Sequence, residues 1–232
     1  LIFNEDSFSE KEYQDLLLRE HAQAGEQIVL GFDEFDESLS SVMNDMDMPS
    51  CDGLNTWFIS KHARRVGFKA VLSGIGADEL FGGYPSFNRM CWIQHLHHWP
   101  RTIRKNMAFP GISRYRRLRY LALPGITGEY LALRGHFLPE QISRWLDIEE
   151  SQVWSILEDN QASPGPGSLQ SGNRASWMEL NLYLKNQLLR DADTMGMKHG
   201  IEIRIPFLDP SLIRFCLSLH PDVKFAKGGG KK

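Results

Sequence analysis

With 232 residues, 42% of them hydrophobic and 24% charged, the chain has the make-up of a soluble globular protein able to bury one sizeable core. A formal net charge of −3 argues against a generic nucleic-acid binder, and no run reaches the roughly 18 consecutive apolar residues of a membrane span. The three cysteines, Cys51, Cys91 and Cys216, are odd in number and widely spaced, and read as buried thiols in a reducing compartment, by default the cytoplasm.

In chain order, Leu1-Ile2-Phe3 reads as the tail of a strand. Ser9 and Glu12 form a capping box ahead of Tyr13, Leu16 and Leu17, the start of a helix. Gln27–Gly31 is a short strand. Phe35, Leu39, Val42 and Met43 recur at helical spacing to about Met46, before Pro49 breaks the pattern. Leu54, Phe58, Ile59, Ala63 and Val66 mark the next amphipathic helix, and Lys69–Leu72 is a buried strand. Strands alternating with helices over 1–87 predict an α/β fold with a partial doubly wound parallel sheet.

From residue 88 the pattern turns to helices alone, over 88–98, 101–108, 112–122, 126–134, 139–146 and 149–158, with Pro100, Pro110, Pro124 and Pro139 as punctuation. Residues 163–168 read as a flexible surface loop. A long helix over 174–190 carries Trp177, Leu180, Leu184 and Leu188 on one face. This large helical portion, 88–232, is expected to bring its last segment back to the edge of the sheet, so 1–232 is read as one domain.

The densest string is Val71-Leu72-Ser73-Gly74-Ile75-Gly76-Ala77-Asp78-Glu79-Leu80-Phe81-Gly82-Gly83-Tyr84. A strand runs into a glycine bend and delivers carboxylates just past its carboxyl edge, where open α/β sheets bind ligands. Bare glycine backbone lets N–H groups approach a phosphate or an adenine closely. Asp78 is placed to hold a hard cation, since Mg²⁺ takes only one or two protein carboxylates beside phosphate oxygens and water. The alternative is a tight turn followed by a short helix, whose positive end suits Asp78 and Glu79.

This string resembles the signature of the asparagine synthetase family, in the domain that uses ATP to make an amide. A second stretch is similar to the family's downstream motif: Leu188-Leu189-Arg190-Asp191-Ala192-Asp193-Thr194-Met195, then His199-Gly200-Ile201-Glu202-Ile203-Arg204-Ile205-Pro206-Phe207-Leu208-Asp209. The resemblance implies an adenine nucleotide alpha hydrolase-like sheet and an AMP-forming ligase dependent on ATP and Mg²⁺. It places Leu1, Ser73, Gly74 and Gly76 against the nucleotide and Asp78 on the metal. Lys232, or alternatively Lys231, matches the family's catalytic lysine. Arg190 is a plausible fork for phosphate or carboxylate. A glutaminase domain is the expected nitrogen source in the parent protein, and aspartate or an analogue the expected acid.

Three departures qualify the resemblance. Asparagine synthetases of the family carry Glu between the two glycines, where this chain has Ile75, which cannot accept a proton or bind an ammonium. Members that close lactams or cyclise peptides also change this position, so the acceptor and amine stay open, as does a paralogue without turnover. The pyrophosphate loop, Ser-Gly-Gly-x-Asp-Ser, is absent. The chain also stops within the lysine motif, which together with its start in an apolar run implies a fragment inactive by itself. The oligomeric state is not legible.

Other clusters carry less. Arg101, Arg104, Lys105, Arg114, Arg116, Arg117 and Arg119 have no intervening acid and read as a solvated face, with docking to an acidic domain or binding of RNA as alternatives. His95, His97 and His98 lack a nearby acid to complete a metal site. His199 reads as a packed or capping side chain, and Glu202 with Arg204 as an internal ion pair. Asp191 and Asp193 are placed to orient Arg190 or Arg204. Trp57, Trp145, Trp154 and Trp177 read as core.

Overall fold

Short apolar strands and capped helices form where the chain's periodicities change, in a computed structural model that describes residues 2–3, 15–16, 18–20, 29–97, 99–100, 102–103, 113–160, 162 and 169–225. The chain gathers into two compact units. One comprises Leu1–Ser73 and Gln187–Arg204, the other Gly74–Asn186 and Ile205–Lys232.

In the first unit, β1 (Ile2–Phe3) pairs parallel with β2 (Val29–Leu30), and β3 (Ala70–Leu72) pairs parallel with β4 (Glu202–Arg204). These are two separate two-stranded sheets. The architecture is therefore mostly helical with a small parallel-sheet component. The partial doubly wound sheet of the sequence reading is not seen among the described residues, whose strands form these two separate parallel pairs.

Between β2 and β3 in sequence lie the Phe32–Asp45 and Cys51–Val66 helices. Ser50 caps the second, its hydroxyl accepting from the N–H groups of Asp52 and Gly53 at 3.1 and 3.4 Å. Gly67 ends it in the left-handed region, φ 99°, a conformation that glycine adopts without a Cβ penalty. The two helices bury Val42, Trp57 and Phe58 against Leu30 and Met195.

The second unit is built on the Pro85–His97, Gly125–Arg134, Pro139–Leu146, Glu150–Asp159 and Ser171–Met178 helices. Prolines open two of them, at Pro85 and Pro139, because the missing N–H is unsatisfied at a first helical position anyway. Its core gathers Phe87, Met90, Tyr120, Leu121, Leu123, Ile126 and Met178.

Several expectations need correction. Residues Ser113–Ala122 form a 3₁₀ rather than an α-helix. From Ser171 the chain stays helical to Lys198, but Glu179–Leu188 takes the wider π form within it. Cys51 and Cys91 are exposed, and of the three thiols Cys216 alone is buried. Trp145 is exposed, its ring meeting Phe137 edge-on at 4.8 Å, whereas Trp57 is core as expected. The Ser9–Glu12 capping box, the 163–168 loop and most of 101–108 lie outside the described residues.

Candidate active site

Two motifs more than a hundred residues apart meet at one strand pair. β3 leads into Ser73, and β4 is the Glu-Ile-Arg of the second motif, in register Ala70↔Glu202, Val71↔Ile203 and Leu72↔Arg204. Ser73 extends the pairing by donating its N–H to the Arg204 carbonyl at 2.8 Å. Because the strands are parallel, both motifs leave at the same carboxyl edge, the side on which open α/β sheets hold ligands. Glu202 and Arg204 alternate around Ile203 and share a face, Arg204 Nε donating to Glu202 Oε1 at 3.0 Å. The pair is exposed rather than internal. That hydrogen bond, and after it the opposite charges, favours both ionised forms, lowering the Glu202 pKa and raising that of Arg204.

Also in the first unit, Arg190 is exposed and donates from Nε to Asp47 Oδ2 at 2.5 Å. Asp191 turns the other way. It is buried and accepts from Ser50 Oγ at 2.6 Å, so it anchors the capped start of the Cys51–Val66 helix rather than orienting Arg190 or Arg204. Gln187 completes this corner, donating to Ser50 Oγ at 3.3 Å and to Asp52 Oδ2 at 2.9 Å. Burial pushes the Asp191 pKa up, against the pull of the Ser50 hydrogen bond. Asp193 is exposed. His199 packs edge-on against Trp57 at 4.6 Å, the packed role expected of it.

The second unit begins within the glycine bend. The Gly74 carbonyl accepts from Ala77 N–H at 3.2 Å, closing a tight turn. Gly76 caps the Ala77–Phe81 helix at φ 96°. A Cβ there would meet Phe207 Cβ and Leu208 Cδ2 at 3.1 Å. Glycine thus serves the backbone conformation and the approach of the Pro206–Leu208 turn together. Phe81 meets the Phe207 ring edge-on at 6.4 Å, so the two motifs touch in this unit as well.

Asp78 stands in the first turn of that helix, half-buried. Its side chain folds back over Gly83. A Cβ on Gly83 would lie 2.0 Å from Asp78 Oδ1 and 2.7 Å from Asp78 Cβ. The N–H groups of Gly82 and Gly83 both donate to the Asp78 carbonyl at 3.0 Å. The bare second glycine of the Gly-Gly pair, Gly83, is therefore the space in which this carboxylate lies. Gly82 also joins Gly172 in admitting the Phe225 ring, whose carbons would stand 2.7 and 2.4 Å from a Cβ at the two positions.

Next to Asp78 in sequence is a network that sequence reasoning missed. Glu79 is buried and accepts from the Tyr84 hydroxyl at 2.8 Å. Burial raises the Glu79 pKa, with Asp78 and Glu179 adding like-charge repulsion against the Tyr84 hydrogen bond. Glu179 is equally buried, accepting from Ser86 Oγ at 2.5 Å and from Arg134 Nε at 3.0 and 3.1 Å. The Arg134 guanidinium stacks 4.4 Å from the Tyr84 ring and 3.9 Å from that of Tyr183. Burial works against its charge, but the Glu179 contacts outweigh burial and its pKa is raised. Glu79 carried a signal, lying inside the string. Arg134 and Glu179 carried none, because 45 positions separate them and no local pattern links them.

Leu1, Lys231 and Lys232 lie outside the described residues. No group of three or more His, Cys, Asp or Glu among the described residues is arranged to hold a metal, and His95 Nδ1 lies 2.7 Å from the Cys91 carbonyl of its own helix. A single half-buried carboxylate, as at Asp78, is still a suitable donor for Mg²⁺, which draws most of its ligands from phosphate and water. No described helix is long and apolar enough to cross a membrane.

The family model described as asparagine synthase matches residues 1–232. A protein of Mycobacterium tuberculosis named "Putative asparagine synthetase (glutamine-hydrolyzing)" is 26% identical over 211 residues, covering 86% of this chain and 31% of that protein. Asparagine synthetase (glutamine-hydrolyzing) 1 of Bacillus subtilis is 22% identical over 211 residues, covering 88% of this chain and 33% of its own length. A Gibberella zeae protein named amidase chry2 is 22% identical over 210 residues, covering 78% of this chain and 30% of that protein. The chain thus spans about a third of the length of the curated relatives it matches. No solved structure matches. With both long motifs in order and the family model running over residues 1–232, the chain belongs to the asparagine synthase family.

Proposed function

We propose that this chain is the synthetase part of an ATP-dependent, AMP-forming amide ligase, with an adenine nucleotide alpha hydrolase-like, doubly wound sheet in the natural protein. In this reading a carboxylate oxygen attacks the α-phosphorus of ATP and the bond to the bridging oxygen breaks, releasing pyrophosphate. The nitrogen of ammonia or an amine then attacks the acyl carbon, AMP leaves, and the nitrogen sheds a proton. The observation that carries the reading is the Asp78 carboxylate laid over Gly83 in a string whose order matches the family signature.

Ser73, Gly74 and Gly76 offer backbone close to the nucleotide. Asp78 would hold Mg²⁺, which when bound offsets the charge of the phosphate oxygens. Asp78 needs Gly83 bare to keep its orientation. Lys232 or Lys231 would sit against the developing negative charge. Arg190 can serve as a phosphate fork by releasing Asp47, and an exposed pair of that kind holds it by only about 0–1 kcal/mol. Leu1 would lie against the adenosine. A glutaminase domain would supply ammonia in the natural protein, in the cytoplasm, with aspartate or an analogue as acid.

Ile75 favours a second reading, a paralogue with another acid and amine or with none, because this side chain offers no group to an ammonium. Pyrophosphate release by the natural protein carrying this chain separates the two. Release driven by aspartate supports the first, and release driven by another acid in a panel supports a changed substrate. ATP binding without release with any acid would overturn the ligase reading.

A further inference from the structure

The second unit holds a cavity of about 420 Å³ that the reaction proposed above does not use. It opens between the Pro85–His97 helix, which lends Arg89, Trp92, Ile93 and Leu96, and the Ser113–Ala122 and Gly125–Arg134 segments, which lend Arg117, Leu118 and Ala132. Ile93 and Ala132 are buried, so the wall is hydrocarbon, while Trp92 is exposed. This size falls in the range of pockets that enclose small organic ligands.

Its charge is one-sided. Residues 80–128 contain eight arginines and lysines and no Asp or Glu. Two neighbours in that run are neutralised: Arg119 pairs with Glu140 and Glu150, and Arg116 with Glu140. Arg89 and Arg117 have no acidic partner among the described residues, and no acid lines the cavity they share. Arg117 is half-buried. Burial, reinforced by the like charge of Arg89, disfavours its ionised form. Two guanidiniums set against one another over an apolar wall are relieved by an anion, and a guanidinium fork matches a carboxylate in both shape and charge.

We infer that this cavity is a binding site for an organic carboxylate with a hydrocarbon body, its head between Arg89 and Arg117 and its tail along Ile93, Leu96 and Ala132. The site stands apart from the ligase reading, since none of its residues belongs to the two motifs.

Isothermal titration of the natural protein with decanoate, decanol and decylammonium tests it. Decanoate should bind at least about tenfold more tightly than decanol, and decylammonium should not bind. The double variant Arg89→Gln/Arg117→Gln should lose that preference while leaving decanol unchanged. Ala132→Leu, which fills the apolar wall, should weaken decanoate and decanol alike. If the double variant does not fold, Arg89→Gln alone, at an exposed position, should lower decanoate affinity by severalfold. The inference is overturned if wild-type protein binds decanoate and decanol equally or binds neither. It is also overturned if decanoate affinity survives the loss of the arginines or the filling of the wall.

Discussion

Lys224 offers the most quantitative test of the structure. It ends the Pro221–Lys224 helix as a residue only 4% exposed, with no hydrogen-bond partner for Nζ among the described residues. Burial pulls its pKa down from 10.5 to about 8, with Cys216 opposing the fall. Between those values the unfolded chain binds the proton that the native state has lost, so stability rises with pH across that window. Below pH 8 both states are protonated and the full penalty applies. At 1.36 kcal/mol per unit, and allowing for water reaching a charged terminus, that penalty is about 2–3 kcal/mol. Lys224→Met keeps the chain length and removes the charge. Urea denaturation should find the variant more stable by about 2–3 kcal/mol at pH 7, shrinking to under about 1 kcal/mol at pH 10. A variant no more stable at pH 7, or one whose gain is equal at both pH values, would refute the buried-ammonium argument.

Three further outcomes follow from packing and burial. Gly172→Ala places a Cβ about 2.4 Å from the Phe225 ring and should cost about 1–2 kcal/mol despite alanine's better helix propensity; a stabilised variant would contradict the close approach. Ser50→Ala removes a helix cap and the partner of buried Asp191, so it should cost about 2–3 kcal/mol, against less than about 1 for Arg190→Ala; equal costs in thermal unfolding would contradict the assignment. Glu79 holds its proton in the native state above the ordinary value of 4.5, so wild-type stability falls as pH rises through the native pKa. Glu79→Gln should therefore gain on wild type between pH 5 and pH 8, and a constant difference would argue against a buried carboxyl.

Local signals were legible where one short pattern decides a structure. The alternation in Glu202–Arg204 and the apolar run ending at Leu72 are strands, but the run is not the buried strand expected, since Leu72 is exposed, and the parallel pairing between the two awaited the structure. Pro139 marked a helix start because the constraint is local. Burial was not legible in the same way. Trp145 has the apolar bulk of a core residue, but it covers Phe137 at the surface, and Cys51 is exposed in the first turn of a capped helix. The π form of Glu179–Leu188 leaves Leu180, Leu184 and Leu188 buried as helical spacing required, so the pattern could not reveal the wider turn. Within the candidate site, the glycines announced Asp78, whereas the Arg134–Glu179 pair depended on tertiary contacts that no sequence window contains.

The proposed chemistry rests on the orientation of one carboxylate, and pyrophosphate release from the natural protein reads it most directly. Asp78→Asn should lower release by at least about a hundredfold, because a charged ligand contributes several kcal/mol to the transition state. Gly83→Ala leaves that carboxylate in place but forces it to turn, and should lower release by at least about tenfold with the fold retained by circular dichroism. Release within twofold of wild type in both variants would contradict the role given to Asp78.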